Sequence, residues 1–260
     1  MLHVGTSRVC ELNSVMSKLP LALRHPPILE AVAEIRFAAV ENKAAETLLP
    51  GYLHDKLKNE YPKTEPTDLQ RMWPAVRNAN ADFSYLALTR LVGEKRAISI
   101  GAQVLGIAFL APYPGWMVFW QSIKCVLTIA NESGALGTIE RISIKYVNFL
   151  PDVEQNGQLK QTKVSLKVGD RDIDAELTHV RCEFNDGGLI KVVQVVTQAS
   201  SPLDASQLGV VVDVDVISNG PFPDFWDTAE EKFTKIHDAE KEQFFSLLTA
   251  ETLNRYEPKY

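Results

Sequence analysis

The feature that most constrains this fold is a pair of strictly alternating segments far apart in the chain. In Glu30-Ala31-Val32-Ala33-Glu34-Ile35-Arg36-Phe37, the residues Ala31, Ala33, Ile35 and Phe37 share one side of an extended chain, and Glu30, Val32, Glu34 and Arg36 share the other. The reason is that successive strand side chains point to opposite faces. Over residues 139–149 the same period sets Ile142, Ile144 and Tyr146 against Arg141, Ser143 and Lys145. Such strands belong to an antiparallel sheet packed on one face and charged on the other. Pro26-Pro27 sets an extended approach, so a strand is predicted over 30–39.

The rest of the chain supplies partners for that sheet. Ala44, Leu48, Tyr52 and Leu57 line one side of a helix that Pro50-Gly51 should break in two, and the proline-rich 61–74 reads as a connector. Residues 83–88, 96–100 and 104–110 suit strands joined by short turns. Trp116, Phe119, Trp120, Ile123, Val126, Leu127 and Ala130 recur at helical spacing, a stripe that reads as core rather than a cofactor box. Short β-rich runs follow at 164–168, 174–183, 189–198 and 209–216, with Asp186-Gly187-Gly188 as a hairpin turn. A long amphipathic helix over 225–248 and a short turn near 251–256 close the chain. Strands follow one another too closely for helical crossovers. The predicted fold class is therefore α+β, mainly antiparallel sheet with two or three packed helices, in two lobes. The divisions are a tail at 1–19, an α+β lobe at 20–150, and a strand-rich lobe at 151–260 that ends in the long helix, the lobes meeting near 150–161. No repeat of 20 to 50 residues stands out, although each half combines several strands with a helix.

Charge and cysteine content narrow the function classes. The 260 residues carry 33 acids against 27 bases, a formal charge of −6, which on average repels a phosphate backbone and disfavours a nucleic-acid partner. Cys10, Cys125 and Cys182 form neither a disulfide framework nor a zinc motif, as expected of a cytoplasmic protein, and Cys125 and Cys182 read as small buried apolar residues. The first fifteen residues lack the apolar run of a secretory signal, and Met16 offers a second start, so the segment before it reads as an over-extended gene start or cloning remnant.

Chemistry-bearing motifs are few. His3, His25, His54, His179 and His237 show no ligand spacing and read as surface or capping residues, and there is no nucleophile elbow or phosphate-binding glycine loop. No catalytic residue and no resident cofactor is expected, and the balance leans away from an enzyme. Polar residues two or four apart on strands share a face: Glu30, Glu34 and Arg36; Arg141 and Lys145; Lys163, Ser165 and Lys167; Asp213 and Asp215. Gathered inside a barrel they could hold a phosphorylated polyanion with Mg2+ or Mn2+. That arrangement loosely resembles the triphosphate tunnel enzymes, although their first-strand Glu-x-Glu-x-Lys is here Glu30-x-x-x-Glu34-x-Arg36. On an ordinary one-sided sheet the same residues pair across strands. Asp213 and Asp215 stand in the most apolar strand, where burial demands cations such as Arg141 or Lys145. In the last helix Glu230, Glu231, Lys232, Lys235, Asp238, Glu240, Lys241 and Glu242 read as a solvated face, and Phe222, Phe225 and Trp226 before and at its start as interaction anchors.

Three segments also carry a likeness. Pro26-Pro27-Ile28-Leu29-Glu30-Ala31-Val32-Ala33-Glu34-Ile35-Arg36-Phe37 resembles the signature of a sporadically distributed family of uncharacterised prokaryotic proteins of about this length. Arg141-Ile142-Ser143-Ile144-Lys145-Tyr146-Val147-Asn148 is similar to that family's central strand and Val212-Asp213-Val214-Asp215-Val216 to its late Asp-x-Asp strand. Ile236-His237-Asp238 with Phe244-Phe245 is similar to its closing helix. The resemblance implies no assigned activity, only a patchy distribution like that of phage-defence or toxin–antitoxin genes; the first expectation is a cytoplasmic bacterial interaction or regulatory component with a protein partner or a second copy of itself and no membrane. The alternative expectation is the metal-dependent polyanion binder or hydrolase.

Overall fold

A computed structural model describes residues 19–42, 44–152, 157–174 and 176–260. The expected tail, with Cys10 and Met16, lies outside the described residues apart from Leu19. Nine strands form one sheet: β1 (Ile28–Phe37), β2 (Lys63–Pro66), β3 (Ala87–Gly93), β4 (Arg96–Gly101), β5 (Val104–Leu110), β6 (Ile139–Pro151), β7 (His179–Asp186), β8 (Leu189–Ser200) and β9 (Leu208–Phe222). Their order is β7-β8-β9-β6-β1-β5-β4-β3-β2, and every neighbouring pair is antiparallel. Three helices, α1 (Ala45–Leu57), α2 (Trp116–Glu132) and α3 (Phe225–Leu247), cover one face, and the α+β class is as the sequence implies. No helix among the described residues is long and apolar enough to cross a membrane.

The alternation seen in the sequence sets the layers. Ala31, Ala33, Ile35 and Phe37 of β1 are fully buried beneath the helices, beside Ile142, Ile144 and Tyr146 of β6. Ala31 stands opposite both Phe109 and Tyr146 in its two neighbouring strands, so its small side chain leaves room for the rings of Phe109, Tyr113, Phe119 and Tyr146, which meet edge to face. Gly187 and Gly188 have positive φ between the paired ends Asp186 and Leu189, so the expected β7–β8 hairpin is present.

Several boundaries differ from expectation. α1 continues through Pro50 and buries Leu57 as expected, but Ala45, Leu49 and Leu53 in place of Ala44, Leu48 and Tyr52, one position along. Losing one helical hydrogen bond costs less than the burial of three leucines at roughly 1.5–3 kcal/mol each recovers. Phe83 and Tyr85 lie in a 3-10 turn, Ala81–Tyr85, rather than a strand. The connector at 61–74 contains the edge strand β2 and the short helix Asp68–Arg71. The strand expected at 164–168 is reduced to Lys167–Val168, paired with Arg171–Asp172 away from the main sheet. Cys125 is exposed and Cys182 half-buried, because Cys125 falls on the solvent side of α2 between the buried Ile123 and Val126.

The division into lobes at 150–161 does not separate two sheets: one sheet spans it over one core that extends from Ala31 to Leu248, and β6, placed in the first expected lobe, begins the second half of that sheet. The topology of the two halves is duplicated. β1 pairs with β5, the last strand of the β3-β4-β5 meander, and α2 follows; β6 pairs with β9, the last strand of the β7-β8-β9 meander, and α3 follows. β1 and β6 meet antiparallel at the centre, as a twofold relation between halves requires. The passage from the last strand to the helix is Pro112-Tyr113-Pro114 in one half and Pro221-Phe222-Pro223 in the other.

Candidate functional site

All seven residues of the expected charged face lie on the side of the sheet away from the helices, because β9, β6 and β1 are consecutive neighbours. Register sets Arg36 opposite Arg141, Glu34 opposite Ser143, and Asp215 opposite Lys145. None of the seven is fully exposed. Arg36 Nε donates to Glu34 Oε1 at 3.0 Å, and its guanidinium lies 4.6 Å from the centre of the Tyr85 ring. Asp213 Oδ2 receives Lys145 Nζ at 3.0 Å and Gln194 Nε2 at 3.1 Å. Burial pushes the Asp215 carboxyl up to about 6, against the pull of Arg141 and Lys145. Burial alone would lower Lys145, but the charge and hydrogen bond of Asp213 carry it upward.

This face is therefore a trough of four acids matched by three bases. It belongs to an open sheet with edges at β7 and β2, so its side chains do not converge inside a closed tunnel. Among the described residues no group of three or more His, Cys, Asp or Glu is placed to hold a metal ion. Lys167 of the other expected set lies in the two-residue ribbon and does not join this face. Phe225 is buried in the protein's own core, Phe222 packs against that core under Lys232, and Trp226 keeps 40% of its surface exposed.

The helix-covered side holds a different site. Gly115, with φ of 94°, precedes α2 and lets the chain turn so that Trp116 opens the helix. Tyr146 and Asn148 project from β6, while His237, Glu240 and Phe244 come from successive turns of α3. The N-terminal arm closes one side, paired through Ala22–Leu23 with Pro258–Lys259 and tied by Lys241 Nζ donating to the Leu21 carbonyl at 2.7 Å. Together they line a half-open cavity of about 340 Å³, within the range of small-molecule sites.

Its polar groups are few and under-satisfied. The Tyr113 and Tyr146 hydroxyls bond each other at 2.8 Å, and the His237 ring stacks on Trp116 at 4.0 Å. Asn148 Nδ2 donates to the Val212 carbonyl at 3.3 Å, which leaves Asn148 Oδ1 buried without a partner. Glu240, 4% exposed, has Oε1 buried without a partner as well. Burial, with Asp213 and Asp215 across the sheet, holds the Glu240 carboxyl far above the usual range, and burial lowers His237 to about 4 despite the adjacent Asp238. In both groups burial disfavours the charged form.

Glu240 and His237 correct the sequence reading, which placed both on solvated surface. A signal was present: Glu240 falls four residues after Ile236 and four before Phe244, on the apolar stripe rather than opposite it. No protein-family model matches the chain, and no curated protein matches it. The likeness noted in the sequence thus rests on the quoted residues alone, and these form the adjacent strands β1, β6 and β9 and part of α3.

Proposed function

We propose that this is a ligand-responsive regulatory protein, which binds a small molecule in the cavity between β6, α2, α3 and the terminal arm and acts through a protein partner rather than by catalysis. The observation that carries this reading is a half-open aromatic cavity lined by a buried carboxyl, Glu240, whose Oε1 has no partner. An unmet buried acceptor costs about 1–3 kcal/mol, and such groups gather at sites that a ligand completes. The open face also holds buried atoms without a hydrogen-bond partner, Arg141 Nε, Asp213 Oδ1 and Asp215 Oδ1, but its opposite charges lie beside one another, Arg36 on Glu34 and Lys145 on Asp213, on an open sheet rather than in a closed tunnel. The free Cys125 and Cys182 suit a reducing cytoplasm. Membership of a defence-type locus rests on the resemblance only.

The test is a thermal-shift and tryptophan-fluorescence screen of small molecules varied in charge and size, since a ligand of the folded state raises its stability by mass action. A genuine site gives hits whose shift is lost in Trp116→Ala and Asn148→Leu and kept in Trp226→Ala. Absence of any binder at millimolar concentration, or shifts that survive both cavity variants, overturns the reading.

A further inference from the structure

We propose that the cavity takes a small organic cation, an aryl-ammonium or amidinium of one or two rings, with Glu240 as counter-ion and Trp116, Tyr113 and Tyr146 as its aromatic walls. The proposal rests on reading the cavity as a ligand site and adds the chemical class of its occupant.

The argument is one of complementarity. Glu240 Oε1 and Asn148 Oδ1 are acceptors lacking donors, so the cavity needs a group rich in N–H. The cavity is lined by the rings of Tyr113, Trp116 and Tyr146, one face of Trp116 being covered by His237, and aromatic rings attract cations most strongly where both are shielded from water. The protein's own cations at this site are engaged elsewhere: Lys241 Nζ on the Leu21 carbonyl at 2.7 Å, and Arg24 Nη1 on Glu257 Oε2 at 2.6 Å. An anion would be held only by the protonated form of Glu240 and would add its charge to those of Asp213 and Asp215 across the sheet, and a neutral hydrocarbon would leave both acceptors unmet. The 340 Å³ volume limits the ligand to a compact body.

The duplicated topology shows that this polarity is not a requirement of the fold. Aligning Pro112 with Pro221 and the β1–β5 register with the β6–β9 register sets Phe222 where the other half has Tyr113, and Ile35 and Phe37 where it has Tyr146 and Asn148. The corresponding positions are therefore apolar. They lie together too, since Phe37 and Phe222 both pair with Ile139.

Binding a cation ionises Glu240, so the carboxyl proton leaves to solvent as the ligand enters. The other groups facing this carboxyl are His237 (whose Nδ1 meets Asp238) and Lys241 on α3, Tyr113 before α2, Tyr146 on β6, Arg24 on the arm, and Asp213 and Asp215 across the sheet.

The experiment is calorimetric titration of the full chain at neutral pH with benzamidinium and 2-naphthylmethylammonium, using benzamide and benzoate as neutral and anionic isosteres, in two buffers of different ionisation enthalpy. Benzamidinium is expected to bind at least about tenfold tighter than benzamide, with benzoate weakest and close to one proton released. Glu240→Gln should bring benzamidinium to the level of benzamide and remove the buffer dependence, and Trp116→Leu should weaken the cations several-fold more than benzamide. Equal binding of benzamide and benzamidinium, unchanged in Glu240→Gln, overturns the cation while leaving the cavity a ligand site. If no probe of any charge binds and the wider screen also fails, both readings fall.

Discussion

Asp215 and Glu240 are carboxyls whose pKa burial raises, on opposite faces of one sheet, and both leave a pH signature. A carboxyl whose folded pKa is raised favours the fold at acid pH, and that contribution is lost as pH climbs from the unfolded value toward the folded one. For Asp215 the window is from about 4 to about 6. Asp215→Asn should therefore match the parent below this window and exceed it above, by on the order of 2–3 kcal/mol, as read by urea unfolding at several pH values. Glu240→Gln should likewise gain on the parent as pH climbs above the unfolded carboxyl value; a constant difference would mean that folding leaves the Glu240 pKa unshifted. The Lys145–Asp213 pair is asymmetric, with side-chain exposures of 36% and 11%. Lys145→Met strands a buried carboxylate and should cost about 2–3 kcal/mol, whereas Asp213→Asn leaves a lysine that can reach water and should cost less. Equal losses would show that the lysine is held as tightly as the acid.

At the scale of elements, α1 and β2 show where local rules were overridden or used. α1 continues through Pro50 because Leu49, Leu53 and Leu57 are committed to the core on either side of it. Pro50→Ala should raise stability by about 1 kcal/mol or more, since the helix regains a hydrogen bond without moving. β2 is a short exposed edge carrying Lys63, Glu65 and Pro66, features that block pairing with another chain. Lys63→Val with Pro66→Val should produce concentration-dependent association in size-exclusion chromatography, and a strictly monomeric double variant would show that this edge is guarded by something else. Both elements were hard to read for the same reason. Four exposed residues carry no periodicity, and a proline weighs heavily in a local reading that cannot see three leucines meeting a sheet.

Across the whole molecule, the central pair β1–β6 joins two similar halves through buried Ala31, Ala33, Ile35, Ile142, Ile144 and Tyr146. Expressed separately, residues 20–137 and 138–260 should each fail to give a cooperative unfolding transition, and mixing them should restore one, because neither half can cover its central strand alone. The one-sided antiparallel sheet, its covering helices, the charged face and the pairing of buried Asp213 with a lysine were all legible in period-two alternation and helical stripes, which act residue by residue. The duplication was not, since it survives as strand order and one Pro-aromatic-Pro passage after the side chains have diverged. The cavity was not legible either: Trp116, Tyr146, Asn148 and Glu240 are scattered over nearly half the chain, and only the packing of α2 and α3 on β6 brings them together. Local alternation determines which face of each strand is apolar, whereas a buried carboxyl without a partner is a property of the space between elements, which exists only once they have packed.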